Sequence, residues 1–123
     1  MILGVGTDII EIERISKAIK RTPKFLEKTF TRKELEFFES KSMKPETIAG
    51  NFAAKEAISK AIGTGFRGFT FRDLEILRDD IGKPKVNISD KVKKIINEED
   101  IIFHISISHN KISAIAFATL EVR

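Results

Sequence analysis

The stretch Asn51-Phe-Ala-Ala-Lys-Glu-Ala-Ile-Ser-Lys-Ala-Ile-Gly-Thr-Gly65 decides how the rest of the chain is read. It predicts a helix that stops at glycine. Ala, Ile, Lys and Glu are tolerant or strong helix formers, and Gly63 or Gly65 is the usual stop. At about 100° per residue, Ala49, Ala53, Glu56 and Lys60 share one stripe. Small residues beside a carboxylate and an ammonium let another backbone approach, so Glu56 is a candidate for a partly buried acid. The plainer alternative is an i,i+4 surface pair of Glu56 with Lys60, stabilising the helix by roughly 0.2–0.5 kcal/mol.

Working outward, the 123 residues suffice for one compact domain with its own core, and a single domain spanning 1–123 is expected. With 41% hydrophobic and 33% charged residues, the composition is that of a soluble globular protein. The chain has no Cys, which excludes disulfides and thiolate metal sites and suits an intracellular setting. No apolar run approaches a membrane span, and the first residues lack the basic flank of a signal peptide, so a cytoplasmic location is expected. The net charge of +4 is unevenly spread. Arg14, Lys17, Lys20, Arg21, Lys24, Lys28, Arg32 and Lys33 face a single acid, Glu27, within residues 14–33. This is either a solvated helix face or a dock for something acidic, nucleic acid or an acidic protein.

Upstream of the central helix, residues 2–9 alternate as a strand. Leu3, Val5, Thr7 and Ile9 lie on one face; Ile2, Gly4, Gly6 and Asp8 lie on the other. Glycine in a strand marks close approach of a ligand or backbone, which leaves Asp8 at the edge of an open space. Alternatively, Asp8 caps the next helix. Helices are predicted over 11–21 and 24–29, separated by Pro23. Thr31-Arg-Lys-Glu34 is a capping box opening a helix to about Lys41. Pro45 suits the first turn of the long helix, which runs to about Ile62. The glycine-rich Gly63-Thr-Gly65-Phe-Arg-Gly68 can offer backbone amides to phosphate, though most such loops are only helix stops.

Downstream, the period changes to two. Leu74–Arg78 and Lys85–Ile88 predict a hairpin across Asp79-Asp-Ile-Gly-Lys-Pro84. Ser89 or Asp90 caps a short helix to about Asn97. Strands are expected over Ile101–Ser108 and Ile112–Val122. His104 reads as a polar-face residue. His109, at a strand end beside Ser108 and Asn110, is a candidate site residue. The whole is an α+β domain, an antiparallel sheet packed with a long central helix and shorter helices.

Three separated stretches then coincide: Gly4-Val-Gly-Thr-Asp8; Phe52-Ala-Ala-Lys-Glu-Ala57 with Lys60 and Gly63-Thr-Gly65; and Ser106-Ile-Ser-His109. In this order and spacing they resemble the 4′-phosphopantetheinyl transferases of the small single-domain type, the holo-acyl carrier protein synthases. Thr31-Arg32-x-Glu34-Leu35 and Gly82-Lys83-Pro84 extend the resemblance over essentially the whole chain. It implies transfer of 4′-phosphopantetheine from coenzyme A to a serine of apo-acyl carrier protein, in fatty-acid biosynthesis, releasing adenosine 3′,5′-bisphosphate. It implies Asp8 and Glu56 as Mg²⁺ ligands, and Lys60 as a contact for the coenzyme A phosphates. Gly63, Thr64, Gly65, Gly82, Lys83, Pro84 and His109 would line the coenzyme A pocket. Arg14, Lys17, Arg21, Lys24 and Phe25 would dock the carrier protein. A homotrimer with active sites at subunit junctions is also implied. One departure is visible: the family usually carries a basic residue before Phe-Ala-Ala-Lys-Glu, where this chain has Asn51. A phosphate contact there is open, with Lys44 as a nearby substitute.

The chemistry fits. Mg²⁺ takes one or two carboxylates plus phosphate and water. Glu56, directly or through water, is the candidate base for the serine, with Asp8 or bulk water as alternatives. The competing reading is a basic nucleic-acid-binding module without catalysis. The basic segment supports it, but the lack of Tyr and Trp for stacking speaks against it.

Overall fold

The computed structural model describes residues 1–123. Its centre is helix α4, Pro45–Ile62. Pro45 stands in the first turn, where its missing N–H costs nothing, and Gly63 ends the helix with φ 97°. Buried residues occur on all sides of it, from Ile48, Ala49 and Gly50 to Ala57, Ile58 and Ala61. A helix buried all round belongs to the middle of a domain rather than its surface.

One sheet holds β1 (Ile2–Glu11), β5 (Ser113–Val122) and β4 (Ile101–His109), in the order β1-β5-β4, all antiparallel. A separate antiparallel hairpin pairs β2 (Leu74–Arg78) with β3 (Pro84–Ile88). The antiparallel pairing expected from sequence is present, divided into two sheets. Helices α1 (Ile12–Arg21), α2 (Phe25–Thr29), α3 (Arg32–Ser40) and α5 (Asp90–Ile96) complete the domain, with a 3₁₀ turn at Phe71–Asp73 that the periodicity does not announce. The capping box is complete: the Glu34 backbone N–H donates to Thr31 Oγ1, and the Thr31 N–H donates to the Glu34 carboxylate.

Strand β1 packs its glycine face onto α4. A Cβ at Gly4 would lie 1.9 Å from the Ala61 carbonyl oxygen, and one at Gly6 would lie 2.0 Å from that of Ala57. Only glycine permits this approach. The sequence suggests clearance at Ala49 and Ala53. Both are buried, but the tight approach to β1 falls one to two turns later, at Ala57 and Ala61.

Turning the glycines inward turns the apolar face of β1 outward. Val5 is 58% exposed and Ile9 66%. On β5, Ile115 and Phe117 are also exposed, and they pair with Ile9 and Thr7. The sheet thus has one face on α4 and one apolar face open to solvent.

Candidate active site

Three side chains meet where β1 crosses the end of α4. Asp8 lies on the same face of β1 as Gly4 and Gly6, half-buried. The strand runs on to Glu11, which takes the N-cap position of α1, so Asp8 is not a helix cap. Lys60 reaches across to β1. Its Nζ donates to the Thr7 carbonyl at 2.8 Å and stands 3.4 Å from Asp8 Oδ1. The i,i+4 Glu56–Lys60 surface pair is therefore not made; the strand competes for the ammonium and wins it.

Glu56 lies one turn before Lys60 and is half-buried. Burial pushes its carboxyl above the ordinary range, the Asp8 charge pushes it further, and Lys60 pulls the other way. Asp8 and Glu56 line one cavity of about 360 Å³, together with Ile10, Ile15, Phe52, Phe25 and Arg14. Two carboxylates sharing a cleft form a donor set that suits a hard cation with open positions for phosphate and water. Nowhere are three or more His, Asp or Glu side chains gathered, so any ion here would take its remaining ligands from substrate and solvent.

A second cavity, of about 350 Å³, lies beyond the N-terminal half of α4. Gly82, Pro84 and His109 line it, with Lys41, Glu46, Thr47, Gly50, Arg78 and Ser106. It shares no residue with the Asp8–Glu56 cleft. Lys44 lines a neighbouring depression together with His109 and Lys41. Lys83 is exposed in the β2–β3 turn, where its backbone N–H donates to Asp79 Oδ1, and it lines neither cavity. Gly63, Thr64 and Gly65 follow the end of α4 close to Lys60, but they too stand outside both cavities. Within one chain, the residues singled out for coenzyme A are thus split into two groups.

Of the basic segment, Arg14 and Phe25 reach the Asp8–Glu56 cleft. Lys17 is 3.3 Å from Glu13, and Arg21 and Lys24 are exposed.

Sequence reasoning missed Arg78. It shares the inward face of β2 with the buried Leu74 and Ile76. An arginine in phase with two core residues was the signal. Asn51 is fully buried. Its amide Nδ2 donates to the Ile76 carbonyl at 2.9 Å and to Glu34 Oε2 at 3.2 Å, and its Oδ1 accepts from Arg78 Nη2 at 2.8 Å.

A family model described as the 4′-phosphopantetheinyl transferase superfamily matches residues 4–118. The chain belongs to this superfamily. Within the transferase family, it is 57% identical over 122 residues to a holo-[acyl-carrier-protein] synthase of Clostridium botulinum (strain Eklund 17B / Type B), covering 99% of each chain. Among solved structures it is similar to the Bacillus anthracis holo-(acyl-carrier-protein) synthase in complex with CoA (3′,5′-ADP), with 41% identity and a TM-score of 0.83 over 100% of this chain and 99% of that one. The Helicobacter pylori holo-[acyl-carrier-protein] synthase in complex with coenzyme A gives 33% identity and a TM-score of 0.84, covering 95% and 99%. The phosphopantetheinyl transferase chain is an enzyme, which removes the non-catalytic nucleic-acid-binding reading. None of its helices is long and apolar enough to cross a membrane.

Proposed function

We propose that this transferase moves 4′-phosphopantetheine from coenzyme A to a serine of an apo-acyl carrier protein, in the cytoplasm and in the service of fatty-acid synthesis. The carrying observation is the cleft that Asp8 and Glu56 share, with the Lys60 ammonium beside Asp8. The serine oxygen attacks the phosphorus that bears the pantetheine. The bond from that phosphorus to the bridging oxygen breaks, and adenosine 3′,5′-bisphosphate leaves.

Phosphoryl transfer depends mostly on positioning and charge neutralisation. Asp8 and Glu56 fit Mg²⁺, which when bound would offset charge on the pyrophosphate. Glu56 takes the serine proton, directly or through a water. Its upward-shifted carboxyl is a better base than an ordinary one. Lys60, already held over β1 by Thr7, supplies positive charge where the leaving phosphate departs. Gly63–Gly65, just past Lys60 at the end of α4, offer backbone contacts to the donor, and Lys83 offers one from the β2–β3 turn. Arg14 and Phe25 at the cleft, continued by the exposed Lys17, Arg21 and Lys24, form the dock for an acidic carrier protein.

A complete site needs more than one copy of the chain. The two cavities share no residue, and each is at the small end of the range for ligand pockets, about 300–1,000 Å³. The exposed apolar sheet face of Val5, Ile9, Ile115 and Phe117 is a surface that calls for a partner. Assembly as a homotrimer through this face brings the Gly82–His109 cavity of one copy to the Asp8–Glu56 cleft of the next.

The test is direct. Apo-acyl carrier protein mixed with coenzyme A, Mg²⁺ and this protein gains the mass of one phosphopantetheine, read by mass spectrometry. No gain with several carrier proteins across neutral pH sinks the reading. A solution mass of three times the chain's 13.9 kDa supports the assembly.

A further inference from the structure

Arg78 is a half-buried cation on β2 near α4. Its guanidinium carries five N–H donors. One donates to Asn51 Oδ1 at 2.8 Å and one to the carbonyl of its neighbour Leu77 at 3.2 Å. The group lies 4.8 Å from the centre of the Phe37 ring, which covers one face. No carboxylate forms an ion pair with it, although Lys17, Arg32, Lys55, Lys60 and Lys93 all have one. The charge is half-buried and lines the cavity of Gly82, Pro84 and His109.

Asn51 explains why the side chain is held there. Its Nδ2 is committed to Ile76 and Glu34, both in the core, so its Oδ1 is fixed as an acceptor for Arg78. The residue that departs from the family pattern has not removed a cation from this cavity. It orients a cation delivered by β2. Burial lowers the Arg78 pKa from its ordinary value, and the distant Glu34 charge only partly opposes this. An anion in the cavity would supply the missing counter-charge, and Lys41 and His109 line the same wall. Glu46, a single carboxylate, lines it as well.

We propose that Arg78, oriented by Asn51, binds the 3′-phosphate of coenzyme A and sets the preference for donors that carry it. The assignment rests on the transferase reading above. The pyrophosphate must sit at the Asp8–Glu56 cleft, which shares no residue with the Arg78 cavity. The 3′-phosphate is the only other anionic group of coenzyme A.

The experiment compares coenzyme A with 3′-dephospho-coenzyme A as donors for wild type, Arg78→Gln and Arg78→Lys, with folding of each checked by thermal unfolding. Losing a charge-assisted phosphate contact raises KM for coenzyme A by about 10–100-fold. Arg78→Gln should do so with kcat nearly unchanged and with KM for the dephospho donor within about twofold of wild type. Arg78→Lys, which keeps the charge but not the fork, should fall between. Equal losses on both donors, or no loss on either, overturn the assignment while leaving the transferase reading intact. Calorimetric binding of adenosine 3′,5′-bisphosphate against adenosine 5′-monophosphate needs no transfer step. Wild type should prefer the bisphosphate, and Arg78→Gln should erase that preference. A preference that survives in Arg78→Gln overturns the assignment. Absent transfer with the Arg78-dependent preference intact overturns the transferase reading alone.

Discussion

Lys55 and Glu56 are adjacent on α4, yet one is sealed in the core and the other opens onto a cleft. The Lys55 ammonium is fully buried, and all three of its donors are used: Glu34 Oε1 at 2.6 Å, the Thr29 carbonyl at 2.9 Å and the Phe71 carbonyl at 2.9 Å. Glu34 in turn accepts from Lys55, Asn51 and the Ile76 and Thr31 backbones. Every buried side-chain polar atom has a partner. Burial lowers the Lys55 pKa and the Glu34 carboxylate opposes it, and both side chains are hydrogen-bonded on all sides. Around Glu56 the opposite holds. The Glu56 hydrogen bond within the chain is made by its backbone carbonyl, not its carboxylate. Asp8 has one long contact with Lys60. A saturated network holds a fold. An unsaturated one of the same residue types is available to a ligand.

The sharpest break of this contrast is at the open end. Glu56→Gln is expected to leave the fold intact and lower phosphopantetheine transfer by about 10²–10⁴-fold, the range for a lost general base. Circular dichroism and the mass-shift assay read both. An unaffected rate removes Glu56 from the chemistry and makes the cleft an accident of packing.

At the sealed end the effect moves to stability. Lys55→Met leaves Glu34 as a buried, uncompensated charge, which costs about 3–5 kcal/mol. Urea unfolding of Lys55→Met, Glu34→Gln and the double variant should show the double costing less than the sum, by at least about 0.5 kcal/mol, as contacting residues do. Purely additive losses mean the two groups do not act as a unit.

Between the regions lies the contact that holds Asp8 beside Lys60. Gly6→Ala places a Cβ 2.0 Å from the Ala57 carbonyl oxygen and 2.9 Å from Lys60 Cβ. Neither the strand nor the helix backbone can yield cheaply, so a loss of about 1–3 kcal/mol is expected. Transfer should fall further than stability does, since Asp8 is carried on the same strand. Val5→Ala, on the outer face of β1, is the control for the strand itself. A stable, fully active Gly6→Ala shows that the approach is not needed.

Much of this was legible in the sequence because local rules decided it. Pro45, Gly63, the Thr31–Glu34 box and the alternation of β1 each carry a local mechanism, and the corresponding elements are present. The pairing of Lys60 with Asp8 was not legible. It is a contact across 52 positions, and the helical rule that pairs Glu56 with Lys60 gives the wrong partner. Glu34 was read as half of a cap, and it is. Its second role, as the buried partner of Lys55, depends on α3 lying against α4 and β2, which no spacing encodes. That Gly82, Pro84 and His109 line one cavity while Gly63–Gly65 and Lys83 line neither is likewise a tertiary fact. So is the role of Asn51, whose amide is fixed by the core rather than turned toward a phosphate.

The smallest expected effect tests the contrast from the side of stability. The Glu56 carboxyl holds its proton to higher pH in the folded chain than in the unfolded one, by burial first and Asp8 second. A carboxyl raised in this way contributes stability below its unfolded value, about pH 4.3, and loses it as pH rises through the folded value. At pH 7 the charged Glu56 therefore weighs against folding, and Gln, which cannot ionise, does not. Glu56→Gln should be more stable than wild type at pH 7 by less than about 1 kcal/mol, because water still screens the group. The gap should close below about pH 4. Mg²⁺ should close it from the other direction at pH 7, stabilising wild type by binding the folded state and leaving the variant nearly unmoved. Urea midpoints at the two pH values, with and without the cation, separate these effects. A variant less stable than wild type at pH 7 means that the Glu56 carboxylate makes bonds that hold the fold, and the distinction between a sealed and an open region of α4 fails.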